Sequence, residues 1–235
     1  MIDFLTGEQV IARIREETDT ILLSFSCGKD SIGAWLALRP HFKRIVPYYY
    51  YIVPDLAFVN KSIQYYESFF GTKIIQLPHP SLARMLNNMV FQAPENCLAV
   101  EQAGIPNIDY DDQAAIVAKM AEVNTTWCAN GLRAADSPNR RTAIKRYGAI
   151  NYKSKKFYPI HDWNKGRLLQ ELRKAGVKLP IDYKLFGRSF DGIDYRFLKP
   201  IKDHLLADYE KIIAVFPLAG LEIKRREYYE AHAER

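Results

Sequence analysis

The chain has 235 residues, 48% hydrophobic and 26% charged, which is ordinary globular usage and excludes a disordered, collagenous or coiled-coil chain. The formal net charge of +6 is modest, but it is not spread evenly: residues 131–200 hold 17 Lys and Arg against 6 Asp and Glu, while residues 1–130 hold 10 against 14. A solvated basic face and an anion site both fit that excess, and a site for phosphates would also attract nucleic acid.

Thr6-Gly7-Glu8-Gln9 reads as a capping box opening an amphipathic helix with Val10, Ile11 and Ile14 on one face. The short apolar run Thr20 to Phe25 predicts a strand buried on both faces, and Asp30 to Arg39 predicts a helix stopped by Pro40. A second strand falls within Arg44 to Val53, a helix over Phe58 to Phe70 ends at Gly71, and Lys73 to Leu77 reads as a third strand. Pro78-His79-Pro80 breaks the chain before a helical stretch, Leu82 to Phe91, and residues 92–109 carry no clear period. Helix returns over Tyr110 to Val123, and Thr125 to Asn130 predicts a fourth strand.

Strands alternating with helices imply parallel βαβ units, hence a doubly wound, mostly parallel α/β sheet flanked by helices. Ligands of such sheets bind beyond the carboxyl ends of the strands, so the loops at 26–31, 54–57 and 131–137 are expected to share one crevice. Beyond residue 140 the order becomes a helical piece, a hairpin of Ala149 to Tyr152 with Lys156 to Ile160, and a helix from Lys165 capped by Asn164 and stopped by Gly176. From Asp203 two helical patterns are split by Pro217. The expected organisation is an α/β domain over 1–200 and a helical C-terminal extension over 201–235.

Cys27, Cys97 and Cys128 are odd in number and lack a CxxC spacing, which argues against a disulfide framework, a four-thiolate zinc site and an iron–sulfur cluster. No other metal-ligand spacing stands out. No apolar run reaches the roughly 18–20 residues of a membrane span, and the N-terminus lacks signal-peptide character. A cytoplasmic protein without a membrane partner is expected; the oligomeric state is not legible.

Ser26-Cys27-Gly28-Lys29-Asp30-Ser31 lies between the first strand and a helix N-terminus, where backbone amides and the helix dipole favour an anion. Gly28 permits close backbone approach, Lys29 brings a point charge, and the Ser26 and Ser31 hydroxyls donate to oxygens. A plain turn with an Asp or Ser cap has the same composition, and the string is not a GxxxxGK[ST] loop.

The ordered string resembles the PP-loop, SGGxDS, of the adenine nucleotide α-hydrolase-like superfamily, and within it the SxGKDS form of phosphoadenosine phosphosulfate (PAPS) reductases. Gly131-Leu132-Arg133-Ala134-Ala135-Asp136-Ser137 is similar to their GxRxxES stretch, with Asp136 in place of the Glu and Arg140 and Arg141 following. Tyr158-Pro159-Ile160-His161-Asp162-Trp163 is similar to their hPLxDW stretch, with Leu179-Pro180 where theirs has LP. The resemblance covers residues 20–185.

The resemblance implies that Ser26, Cys27, Gly28, Lys29, Asp30 and Ser31 cradle the phosphates of ATP or another adenine nucleotide, with Gly131, Arg133 and Ser137 approaching from across the crevice. It implies catalytic roles for Lys29, Asp30 and Arg133, and Mg²⁺ accompanying the nucleotide. In ATP-using members the α–β phosphate bond is cleaved and AMP passes to an acceptor. Nucleic acid or protein is the acceptor suggested by the basic 131–200 segment. The reading of Asp162 is a helix cap and that of Trp163 a core aromatic.

Two departures qualify this. No cysteine follows Cys128, whereas PAPS reductases attack sulfur with a C-terminal cysteine, so sulfonucleotide reduction is the weakest reading. Cys27 stands where the motif has glycine, either as a small tolerated side chain or as a thiol beside the phosphates. Backbone near Val53-Pro54-Asp55 would read the adenine edge by the same resemblance, and the Tyr48 to Tyr51 run reads as core. A nucleotide-binding regulator or assembly protein without turnover is the alternative to nucleotidyl transfer.

Overall fold

Residues 5–232 are described by the structure, a computed structural model. In chain order the elements are α1 (Gly7–Glu17), β1 (Thr20–Ser24), α2 (Lys29–Leu38), β2 (Arg44–Tyr51), α3 (Ala57–Phe70), β3 (Ile75–Pro78), α4 (Pro80–Asn87), α5 (Pro94–Ala103) and α6 (Tyr110–Met120). They continue with β4 (Cys128–Asn130), a 3-10 turn (Ala134–Asp136), α7 (Pro138–Tyr147), β5 (Ile150–Asn151), β6 (Lys156–Phe157), α8 (Lys165–Lys174), α9 (Asp182–Leu185), α10 (Tyr195–His204), α11 (Leu206–Val215) and α12 (Leu221–His232).

The chain divides into two units. One comprises residues through Tyr50, Tyr65–Leu77 and Asp109–Pro180; the other comprises Tyr51–Gln64, Pro78–Ile108 and the chain from Ile181 onward. The strands form a sheet ordered β3-β2-β1-β4-β6-β5, in which β2, β1, β4 and β6 pair in parallel and β5 runs antiparallel to β6. This is the doubly wound, mostly parallel arrangement that alternating strands and helices require. The short β5–β6 pair is the expected hairpin.

Alternation along β1 sends its side chains to two faces. Leu22 joins Val46, Tyr48, Cys128 and the α6 residues Ala114, Val117 and Ala118 in a buried cluster. At the end of the opposite parity, Phe25 meets Trp35 of α2 edge-on at 5.0 Å and Tyr66 of α3 at 5.3 Å, and Trp35 stacks on Phe70 at 3.9 Å. Of the tyrosine run, Tyr48 and Tyr49 are buried, and the Tyr48 hydroxyl lies 3.0 Å from Cys128 Sγ.

The capping box of Thr6 and Gln9 is present, and Gly71 and Gly176 take the left-handed conformation that ends α3 and α8. Several boundaries differ from expectation. β4 is shorter at its start because Thr125 Oγ1 accepts from Trp127 N, a local turn that competes with the ladder. α4 begins at Pro80 instead of Leu82, since His79 Nδ1 accepts from Ser81 N as an N-cap and proline suits the first turn. Residues 92–109 contain α5, closed by Gly104 at φ +55°.

In the second unit, α10 starts at Tyr195, ahead of the expected Asp203, although Pro200 lies inside it. Asp194 caps it and the buried stripe Phe197, Leu198 and Ile201 outweighs the proline. Asp208 of α11 accepts from the amides of Ala57 and Phe58 at 2.6 and 3.2 Å, which anchors the start of α3 in that unit. Among the described residues no helix is long and apolar enough to cross a membrane.

Candidate functional site

The strand order reverses direction at β1: the chain goes from β1 to β2 and β3 on one side and returns to β4 on the other. The carboxyl ends of the adjacent, parallel β1 and β4 therefore flank a topological switch point, where open α/β sheets form their ligand crevice. The 26–31 loop leaves one of these ends and the 131–137 segment leaves the other.

Within the loop, Ser31 Oγ donates to Gly28 O at 2.9 Å and accepts from Ser26 N at 3.2 Å, while the two serine hydroxyl oxygens lie 3.3 Å apart. These bonds fold the turn upon itself. Gly28 is the N-cap of α2 and has no side chain of its own to cap the helix; its amide donates to Ser26 Oγ at 3.4 Å, and the positive end of the helix dipole lies at this turn. The carboxylate in the first turn, Asp30, is held by two cations: Lys29 Nζ at 2.9 Å and Arg133 Nε at 2.6 Å.

Cys27 has φ +57°, the left-handed region that disfavours a Cβ, and is only 3% exposed. A glycine is the residue that geometry suits. Cys27→Gly is expected to melt no lower than the parent, whereas Cys27→Val, β-branched at positive φ, loses about 2 kcal/mol. Thermal unfolding of the two variants checks this.

Gly131 brings the second segment against the first. A Cβ there would lie 2.6 Å from the carbonyl carbon and oxygen of Asp30 and 2.7 Å from Ser31 N. Only a residue without a side chain allows that approach.

Arg133, 3% exposed, is the centre of the arrangement. Besides Asp30 it donates through Nη2 to Asp136 Oδ1 at 2.5 Å and through Nη1 to Trp163 O at 3.4 Å. Asp136 Oδ2 in turn accepts from Arg140 Nη1 at 2.9 Å. A chain of alternating charge, Lys29–Asp30–Arg133–Asp136–Arg140, thus runs from the loop into α7. A guanidinium suits this place because its planar fork serves several acceptors at once.

The 158–163 stretch supports the same framework from behind. His161 O accepts from Ala134 N at 2.8 Å, and Asp162 Oδ2 accepts from Gly7 N at 3.0 Å at the start of α1. Trp163 is buried, with the Arg167 guanidinium 4.9 Å from its ring centroid. Asp162→Ala is expected to cost about 1 kcal/mol through the lost cap, read by denaturant unfolding.

The structure thus brings together Ser26, Cys27, Gly28, Lys29, Asp30, Ser31, Gly131 and Arg133. Ser137 is the N-cap of α7, accepting from Arg140 N at 3.2 Å. The 54–57 stretch belongs to the second unit, where Asp55 takes φ +56° and its carbonyl accepts from Lys211. Asp136 was not among the expected site residues, although its three- and four-residue spacing from Arg133 and Arg140 is the signal for such pairs. Cys128 is fully buried, and burial pushes its thiol pKa up; it packs as a small hydrophobe.

The sheet and the loop define a doubly wound α/β protein with an anion-suited turn at its switch point. No family model and no curated protein matches the chain. Among solved structures it is similar to an NH3-dependent NAD synthetase from Campylobacter jejuni, at 11% identity over 94% of this chain and 93% of that one, with a TM-score of 0.44. It is also similar to a tRNA methyltransferase subunit from Methanocaldococcus jannaschii, at 15% identity over 78% and 88%, with a TM-score of 0.34. Likenesses at this level add nothing to the fold read from the strand order.

Proposed function

We propose that the protein is a PAPS reductase-like member of the PP-loop superfamily that binds ATP or a close adenine nucleotide at the 26–31 loop. In this reading it cleaves the α–β phosphate bond, transferring AMP to an acceptor and releasing pyrophosphate. The observation that carries the reading is the meeting of the 26–31 loop and Arg133 at the carboxyl ends of β1 and β4, across the switch point.

The N-terminal turn of α2 and Lys29 would hold the pyrophosphate end, and the exposed Ser26 hydroxyl would donate to its oxygens, while Ser31, whose proton is given to Gly28 O, would hold the turn in shape. Asp30 would orient Lys29 while Arg133 fixes Asp30, so the cation is positioned before substrate arrives. Acceleration would come from fixed positive charge facing the charge that develops on the leaving pyrophosphate.

Among the described residues no three His, Cys, Asp or Glu gather into a metal-holding group, and Asp30 and Asp136 are both engaged by cations. Mg²⁺ that arrives on the phosphates with its own waters, the usual way that ion is held, would need no such group. When bound it would offset phosphate charge.

Incubation with ATP and candidate acceptors, with pyrophosphate measured by a coupled assay, tests the reading. Acceptor-dependent pyrophosphate release is expected, reduced about 100-fold in Lys29→Ala. Release that is unaffected by that substitution would place the chemistry elsewhere, and ATP binding without release would identify a non-catalytic nucleotide binder.

A further inference from the structure

Outside the loop, the first unit carries a second place with a composition of its own. Residues 137–161, which form α7 and the β5–β6 hairpin, contain seven Lys and Arg and no Asp or Glu. Arg140 pairs with Asp136 and Lys156 with Asp111, at 2.9 and 2.7 Å. Arg141, Lys145, Arg146, Lys153 and Lys155 are exposed, and none has an ion-pair partner among the described residues.

Between α7 and the hairpin lies a cavity of about 360 Å³, walled by Leu132, Arg140, Ile144, Tyr147, Tyr152 and Tyr158. Tyr147 is 68% and Tyr152 53% exposed, so both rings of the cavity wall reach solvent. The Arg146 guanidinium lies 5.2 Å from the Tyr147 ring centroid, and Trp127 meets Tyr152 edge-on at 5.6 Å. Asn151 Oδ1 accepts from Ser154 N at 3.1 Å, which fixes the amide at the cavity rim.

We propose that this face binds single-stranded nucleic acid, with one base inserted in the cavity against Tyr147 and Tyr152 and the flanking phosphates on the surrounding cations. The occupant follows from the pairing of features. An acidic peptide would satisfy the cations but leave the tyrosine walls unused; a duplex would satisfy the cations but keep its base faces stacked inside. A single strand offers both a polyanion and exposed aromatic faces. Asp136 joins the two places, accepting from Arg133 on the loop side and from Arg140 on the cavity side. Binding here does not depend on the loop's holding a nucleotide.

Fluorescence anisotropy with a labelled oligouridine of about 15 nucleotides tests the proposal. The full chain is expected to bind it with a log–log salt slope of about −3.5, from five unpaired cations at about 0.7 each. Tyr147→Ala with Tyr152→Ala is expected to weaken binding about 5- to 100-fold, and phenylalanine at both positions to restore most of it. Lys145→Ala with Arg146→Ala should flatten the slope by about 1.4. Tyr147→Ala alone, at an exposed position, provides a variant that does not challenge folding. Lys29→Ala should leave oligouridine binding unchanged, which separates this proposal from the loop reading. Absence of binding at low salt, equal binding of a duplex of the same length, unchanged binding after loss of both tyrosines, or equal competition by polyglutamate would each overturn it. The last result would assign the face to an acidic protein.

Discussion

Gly131→Ala is expected to lower the thermal midpoint by roughly 5–10 °C and to abolish nucleotide binding in whatever folded protein remains. The added methyl meets backbone, not a flexible side-chain end: the Asp30 carbonyl at 2.6 Å and Ser31 N at 2.7 Å. Neither can yield without moving the first turn of α2, and that turn is built from the Ser26, Gly28 and Ser31 bonds that shape the loop. Gly176→Ala serves as the control. Its φ of +67° makes alanine unfavourable, but no atom lies within 4 Å of the new methyl, so about 1 kcal/mol should be lost with nucleotide binding unaffected. Calorimetric melting with and without ATP distinguishes the two variants. Equal behaviour would mean that the close approach at Gly131 does not hold the site together.

Arg133→Ala is expected to cost about 2–3 kcal/mol, the largest loss anticipated for a single polar side chain here. Its guanidinium is 4% exposed, and the Asp30 and Asp136 side chains it serves are 27% and 20% exposed. Removing the cation leaves two partly exposed carboxylates with only Lys29 and Arg140 to offset them. Arg133→Lys should recover little, because one ammonium cannot reach Asp30, Asp136 and the Trp163 carbonyl in the directions a planar fork serves. Urea unfolding measures the stability loss. A cost below about 1 kcal/mol would show the network to be as weak as a surface ion pair.

Much of this architecture can be read from local pattern. β1, α2 and β2 are strong, short-range signals: an apolar strand, a glycine-bearing turn and an apolar helix in close succession. The β5–β6 hairpin and the Asn164 cap of α8 are likewise local. α5 and α10 are not, because each hides its helical period behind a residue that reads as a breaker, Pro94 at the first turn and Pro200 in the interior. For the site, residue types and order suggest Lys29, Asp30 and Arg133, but only the fold shows that Asp30 and Arg133, 103 residues apart, are bonded. The left-handed backbone at Cys27 and the steric demand at Gly131 are invisible in composition, since the first is set by the path of the β1–α2 turn and the second by the first turn of α2, 100 residues earlier in the chain. The double service of Asp136 depends on the turn at Ala134–Asp136 leading directly into α7.

The central claim is that the turn between β1 and α2 grips the phosphates of an adenine nucleotide. Titration calorimetry of ATP, pyrophosphate and adenosine into the full chain measures this most directly. ATP and pyrophosphate are expected to compete for one site, adenosine to bind more weakly than ATP, and Lys29→Ala to lose at least about tenfold in ATP affinity. ATP affinity that survives Lys29→Ala unchanged, or an absence of ATP binding to the unaltered protein, would contradict the account.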